Sequence, residues 1–188
     1  MTAIMTLEIC CADIESVQAA VEGGCGRIEL CSALESGGVT PSAGLIMQAV
    51  SLCRGRVPVH VLIRPRPGDF LYSEAELQVM EDDILAAVRY GASGIVIGAL
   101  TPDGHVDTAA CRRMMSSAGD ASVSVTFHRA FDMCSDPFQA IDDIAALGCD
   151  RILTSGQASS ALDGSEAIRR LSEYAAGRVS LMAGAGIN

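Results

Sequence analysis

Seven short apolar runs recur along the chain at residues 7–10, 27–31, 57–64, 94–100, 122–128, 151–155 and 178–183. Between them lie helical patterns with their own start and stop signals, in a unit of roughly 30 residues, the length of a strand, a helix and two loops. A chain so punctuated is α/β with a parallel sheet, because each strand must return to the same end of the sheet before the next begins. The capping signals agree. Asp13 opens a helix that Gly23-Gly24 ends, and Thr40-Pro41 supplies an N-cap followed by proline. Ser73-Glu74-Ala75-Glu76 reads as a capping box whose helix stops at Gly91, and Asp136-Pro137 opens another that stops at Gly148.

Such units close into an eight-stranded barrel or stay open as a doubly wound sheet, and the polar residues within the strands separate the two. Glu8 and Cys10 alternate on one face of the first strand, as do Arg27, Glu29 and Cys31 on the second. An open sheet would bury those charges in an apolar layer, whereas a barrel turns them to its interior or its catalytic mouth. The residues end just after the seventh strand. The expectation is therefore a single domain over 1–188, a TIM (β/α)8 barrel with about seven β/α units and the C-terminal part of the barrel missing.

Composition narrows the function. All 13 basic residues are Arg, so a Schiff-base lysine and a P-loop lysine are excluded. The formal net charge of −10 argues against nucleic acid or anionic lipid as partner. Eight cysteines follow an N-terminus without the basic and apolar regions of a secretory leader, which points to reduced thiols and a cytoplasmic location. No apolar run approaches the roughly 20 residues that cross a bilayer.

Two side-chain constellations carry the chemistry. In the repeated Glu-x-Cys of Glu8-Ile9-Cys10 and Glu29-Leu30-Cys31, neighbouring strands about 4.8 Å apart would set Cys10 and Cys31 at matching heights. Two thiolates suit Cu(I); two inert, packed cysteines are the competing reading. Cys11 points to the opposite face and packs under a helix. The second constellation is Glu8 and Glu29 as an acid/base pair, with Arg64, His128 and Arg129 at strand ends as anion binders and proton-transfer aid. Here the competing reading is an internal network in which Arg64 and His128 neutralise the two glutamates. His60 reads as a packed core histidine and His105 as a turn residue. Gly184-Ala185-Gly186 is either a phosphate-binding loop or a tight turn.

Leu7-Glu8-Ile9-Cys10, Arg27-Ile28-Glu29-Leu30-Cys31-Ser32, Gly37-Gly38-Val39-Thr40-Pro41-Ser42, Ile63-Arg64-Pro65-Arg66-Pro67-Gly68-Asp69-Phe70, Thr126-Phe127-His128-Arg129-Ala130-Phe131-Asp132 and Leu153-Thr154-Ser155-Gly156 run in order across nearly the whole chain. Together they resemble the CutC family. The resemblance implies a TIM barrel, a cytoplasmic homo-oligomer and copper homeostasis through Cu(I), with Cys10 and Cys31 at the positions of the proposed copper ligands. The expected function is thus Cu(I) binding through barrel cysteines. The alternative is a barrel enzyme acting on a small anionic or polyhydroxylated metabolite.

Overall fold

The structure is a computed structural model and describes residues 5–119 and 121–187. The expected strands form as β1 (Glu8–Cys11), β2 (Arg27–Leu30), β3 (Val59–Leu62), β4 (Gly94–Ile97), β5 (Ser124–Phe127), β6 (Arg151–Thr154) and β7 (Ser180–Ala183). The helices between them are α1 (Ile14–Glu22), α2 (Ala43–Cys53), α3 (Glu74–Arg89), α4 (Thr108–Ser117), α5 (Pro137–Leu147) and α6 (Ser165–Ala175). Short 3-10 turns follow β2 and β5.

The chain resolves into two compact units. The first, Met1–Gly68, Gln78–Val96 and Ser117–Val123, carries β1 to β3 and most of β4, paired in parallel and in sequence order. The second, Asp69–Leu77, Ile97–Ser116 and Ser124–Asn188, carries β5, β6 and β7, again parallel and in order. Within it the Ile97 carbonyl at the end of β4 accepts from His128 N–H. Strands that follow chain order with helices between them are the TIM-barrel pattern and not the reordered strands of a doubly wound sheet.

Alternation along the strands sets the two faces. On β2, Ile28 and Leu30 are fully buried, while Arg27 and Glu29 point the other way and pair with polar groups of β1. Cys11 is buried on the opposite face from Cys10, as expected. The helices contribute Val17 from α1, Ile46 and Ala49 from α2, and Met80, Ile84 and Ala87 from α3. Each large apolar side chain so buried is worth about 1.5–3 kcal/mol.

Most caps form where the sequence places them. Asp13 accepts from Ser16 N–H, Ser73 and Glu76 exchange the bonds of a capping box, and Asp136 accepts from Phe138 and Gln139 N–H with Pro137 opening α5. The expected Thr40 cap does not form. Ser42 caps α2 by accepting from Leu45 N–H, because the Thr40 hydroxyl is engaged by the Arg64 backbone.

Candidate active site

In the first unit, strand register builds the candidate site. Cys10 pairs with Glu29, Glu29 with His60, and His60 with Gly94, so these four residues form one row across β1 to β4. One step earlier, Glu8 pairs with Arg27, and their side chains form an ion pair through Glu8 Oε2 and Arg27 Nε. One step later, buried Cys31 clusters with Leu62 and Val96. Polar rows therefore lie beneath an apolar one.

Glu29 is buried, and its Oε2 accepts from the Cys10 thiol at 3.6 Å. Burial, and then the Glu8 carboxylate, push its carboxyl up to about 7, against the opposing pull of the Cys10 hydrogen bond and of Arg27. A carboxyl balanced near neutrality can both give and take a proton. Cys10 remains exposed at its edge, yet its thiol lies well above the ordinary range. The protein packed around the sulfur is the main cause, followed by the charge of Glu29. Cys31 is pushed up to about 12 by burial and by Glu29.

The matching heights expected for Cys10 and Cys31 are not what the register gives. Cys10 stands opposite Glu29, and Cys31 is carried into the next row, where its N–H and thiol both donate to the Cys11 carbonyl. The cause is a two-residue offset: β2 enters the pairing at Arg27 opposite Glu8, so the two Glu-x-Cys repeats are out of step. Among the described residues, no group of three or more His, Cys, Asp or Glu side chains is arranged to hold a metal ion.

Arg64 is buried, and its guanidinium donates to the carbonyls of Gly38 at 2.9 Å, Gly68 at 2.8 Å and Ser36 at 3.4 Å. The expected neutralisation of Glu8 falls to Arg27 instead. Arg64 ties the loop after β2 to the loop after β3, and Gly38, with φ 83°, turns its carbonyl within its reach. His60, read from sequence as core packing, is indeed buried but stands in the Glu29 row.

The second unit holds His128 and Arg129. His128 caps the turn after β5 by accepting from Ala130 N–H through Nδ1, with the Phe70 ring 5.0 Å away. That bond leaves the proton of the neutral imidazole on Nε2. Arg129 donates through Nε to Asp132 at 2.8 Å and through one terminal nitrogen to Ser155 Oγ at 3.1 Å. Asp132 escaped the sequence reading although it closes the Thr126-to-Asp132 stretch. It accepts from Thr154, Ser155 and Gln157, and so links that stretch to Leu153-Thr154-Ser155-Gly156. Burial raises its pKa, but the bonds from Thr154, Ser155 and Arg129 outweigh burial and hold it below the usual carboxylate range. His105 sits in a turn, its N–H donating to Thr101 Oγ1. Gly184 spends its N–H on the Thr154 carbonyl.

Comparison with known proteins places this arrangement. The CutC family profile matches residues 5–188. The chain belongs to the CutC family. A CutC family protein of Histophilus somni is 46% identical over 184 residues, 98% of this chain and 74% of that protein. The human copper homeostasis protein cutC homolog is 50% identical over 181 residues, 96% of this chain and 65% of the human protein. A CutC crystal structure from Streptococcus agalactiae superposes with a TM-score of 0.92 at 35% identity, covering 98% of this chain and 90% of that one. For this CutC-family chain, the TIM-barrel expectation holds. No helix among the described residues is long and apolar enough to cross a membrane.

Proposed function

We propose that this chain is an acid–base catalyst acting on a small anionic or polyhydroxylated metabolite, with Glu29 as the proton-transfer group. The observation that carries the reading is the buried Glu29 carboxyl in a row with the Cys10 thiol and His60, its pKa raised to about 7. Burial, and then the Glu8 carboxylate beside it, keep the Glu29 proton available at neutral pH against the opposing pull of Arg27. In the second unit, taken by itself, Arg129 is an oriented cation suited to an anionic group and His128 holds a defined tautomer. Arg64 acts by holding loops, since its donors point at backbone carbonyls.

The test is an infrared difference titration of the carboxyl region in wild type and Glu29→Gln, followed by a thermal-shift screen of anionic and polyhydroxylated metabolites. The expected result is a glutamic-acid band that titrates near neutrality and vanishes in the variant, with a ligand that stabilises wild type selectively. A Glu29 already ionised at pH 5 would sink the reading.

A second reading, copper handling with Cu(I) as cargo bound by Cys10 and Cys31, is favoured by the name of the human relative. Its chemical demand is plain. Both thiols hold their protons firmly, so copper would have to displace them, and Glu29 is placed to take the proton from Cys10. An anaerobic Cu(I) titration against a competing chelator, repeated on Cys10→Ser/Cys31→Ser, checks it: about one tightly bound equivalent lost in the variant supports it, and equal binding refutes it. Both readings keep the proposal of a cytoplasmic homo-oligomer. The eight unpaired thiols support the compartment, and the mass of the chain in solution tests the assembly.

A further inference from the structure

We propose that Asp132 is a positioning residue that presents Arg129 to an oxyanion, the carboxylate or phosphate group of a small-molecule ligand. This inference rests on the reading of an anionic substrate and assigns the groups that would recognise it.

The argument starts from how completely Asp132 is satisfied without Arg129. Its side chain is 6% exposed. Its Oδ1 accepts from Thr154 Oγ1 at 2.5 Å and from Gln157 N–H at 3.1 Å, and its Oδ2 from Ser155 N–H at 3.0 Å, while the Ser155 hydroxyl lies 3.0 Å from Oδ2 and donates to the Ala158 carbonyl at 2.6 Å. Three donors at and just beyond the end of β6 cradle the carboxylate much as a backbone nest cradles a bound anion. To make that cradle, Gln157 is held at φ 60°, a conformation side chains rarely take, and its amide is anchored on the Cys134 carbonyl at 2.7 Å. So Asp132 is held in place by donors other than the arginine. A surface i,i+3 ion pair formed for its own sake is worth little and needs no such support.

What the fixed carboxylate adds is direction. A guanidinium has five N–H donors in a rigid plane. Asp132 takes Nε, and Ser155, itself buried, takes one donor of a terminal nitrogen; Arg129 makes no other hydrogen bond among the described residues. Its side chain is 44% exposed. The three remaining donors lie on the edge turned away from Asp132, held in place by two bonds to a rigid anchor. That is the donor pattern that receives a carboxylate or phosphate through two parallel bonds, at small entropic cost because the fork is already oriented.

The test uses the full chain, labelled with 15N, and two probes added separately: inorganic phosphate and succinate. Side-chain Nε–Hε spectra and calorimetry follow each titration. The expected result is a saturable shift of the Arg129 resonance with at least one probe, the better probe naming the class of anion. Binding is expected to be lost in Arg129→Gln and weakened about tenfold in Asp132→Asn, with the Arg129 resonance displaced before any probe is added. Ser155→Ala removes the hydroxyl that accepts from Arg129, together with its bond to the Ala158 carbonyl, and keeps the test open if Asp132→Asn fails to fold; a loss of about threefold or more is expected. Three results would each overturn the proposal: an Arg129→Gln variant that binds like wild type, a folded Asp132→Asn or Ser155→Ala that does so, or no shift with either anion. The outcome separates from that of the catalytic reading. Anion binding without a Glu29 titration near neutrality refutes catalysis at Glu29 alone, and the reverse refutes the present inference alone.

Discussion

The imidazole of His60 occupies the space that a side chain at residue 94 would need. A Cβ on Gly94 would lie 2.6 Å from both Cδ2 and Nε2 of the ring. His60 and Gly94 are register partners on neighbouring strands, so the missing side chain on β4 is the condition for an imidazole in the Glu29 row.

The first prediction follows directly. Gly94→Ala is expected to destabilise the fold by about 1–3 kcal/mol, as overpacking of a close-fitted interior does. In His60→Ala/Gly94→Ala the clash is gone, so the two substitutions should be strongly non-additive. Urea denaturation of the four proteins checks this, and additive losses would contradict it.

A second concerns pH. The Glu29 carboxyl lies at about 7 in the folded chain against an ordinary value of 4.5. Its folded pKa is raised, so below about 4.5 it costs nothing, and as pH climbs from 4.5 to 7 ionisation increasingly favours the unfolded chain. Replacing it by Gln removes that dependence. The stability of Glu29→Gln relative to wild type should rise across this window by roughly 3 kcal/mol at most and then level off. Denaturation midpoints measured every half unit from pH 4 to 8 would show it.

Thiol reactivity gives a third. Cys10 is the one exposed cysteine, and the other seven are buried. Exposure alone would make it the fastest to alkylate, but the surrounding protein and the Glu29 charge keep its thiol protonated. Iodoacetamide at pH 8 should therefore modify Cys10 several-fold more slowly than a free thiol of ordinary pKa, and Glu29→Gln should accelerate it. Mass spectrometry of the modified peptide reads both rates.

Arg64 supplies the fourth. Its guanidinium satisfies carbonyls in two loops from a buried position, so Arg64→Ala should cost about 2–4 kcal/mol. Arg64→Lys should recover little, since an ammonium cannot fan its donors to carbonyls of residues 36, 38 and 68. Faster amide exchange in residues 33–40 would accompany both.

The β/α order, the capping of α1, α3 and α5 and the alternation of faces on β1 and β2 were legible in the amino-acid sequence. They depend on period-2 alternation and on contacts within a few residues, which local chemistry specifies. Glu8 and Glu29 were legible as polar residues at strand positions where an apolar one would be ordinary, and Arg64, His128 and Arg129 as polar residues at or just past strand ends. Their partners were not. The sequence pairs Cys10 with Cys31 because both close a Glu-x-Cys, whereas the strand offset pairs Cys10 with Glu29 and sends Cys31 into the apolar row with Leu62 and Val96. Register is an alignment between strands 19 residues apart in the chain, set by how their faces pack, and no short-range pattern records it. The same holds for Asp132, which takes its meaning from Thr154 and Ser155 more than 20 residues away, and for Arg64, whose partners are backbone carbonyls that any residue would carry. Local alternation thus determined which residues share a strand face. Only the tertiary structure decided which of them meet, because strand offset and loop closure are properties of the packed chain.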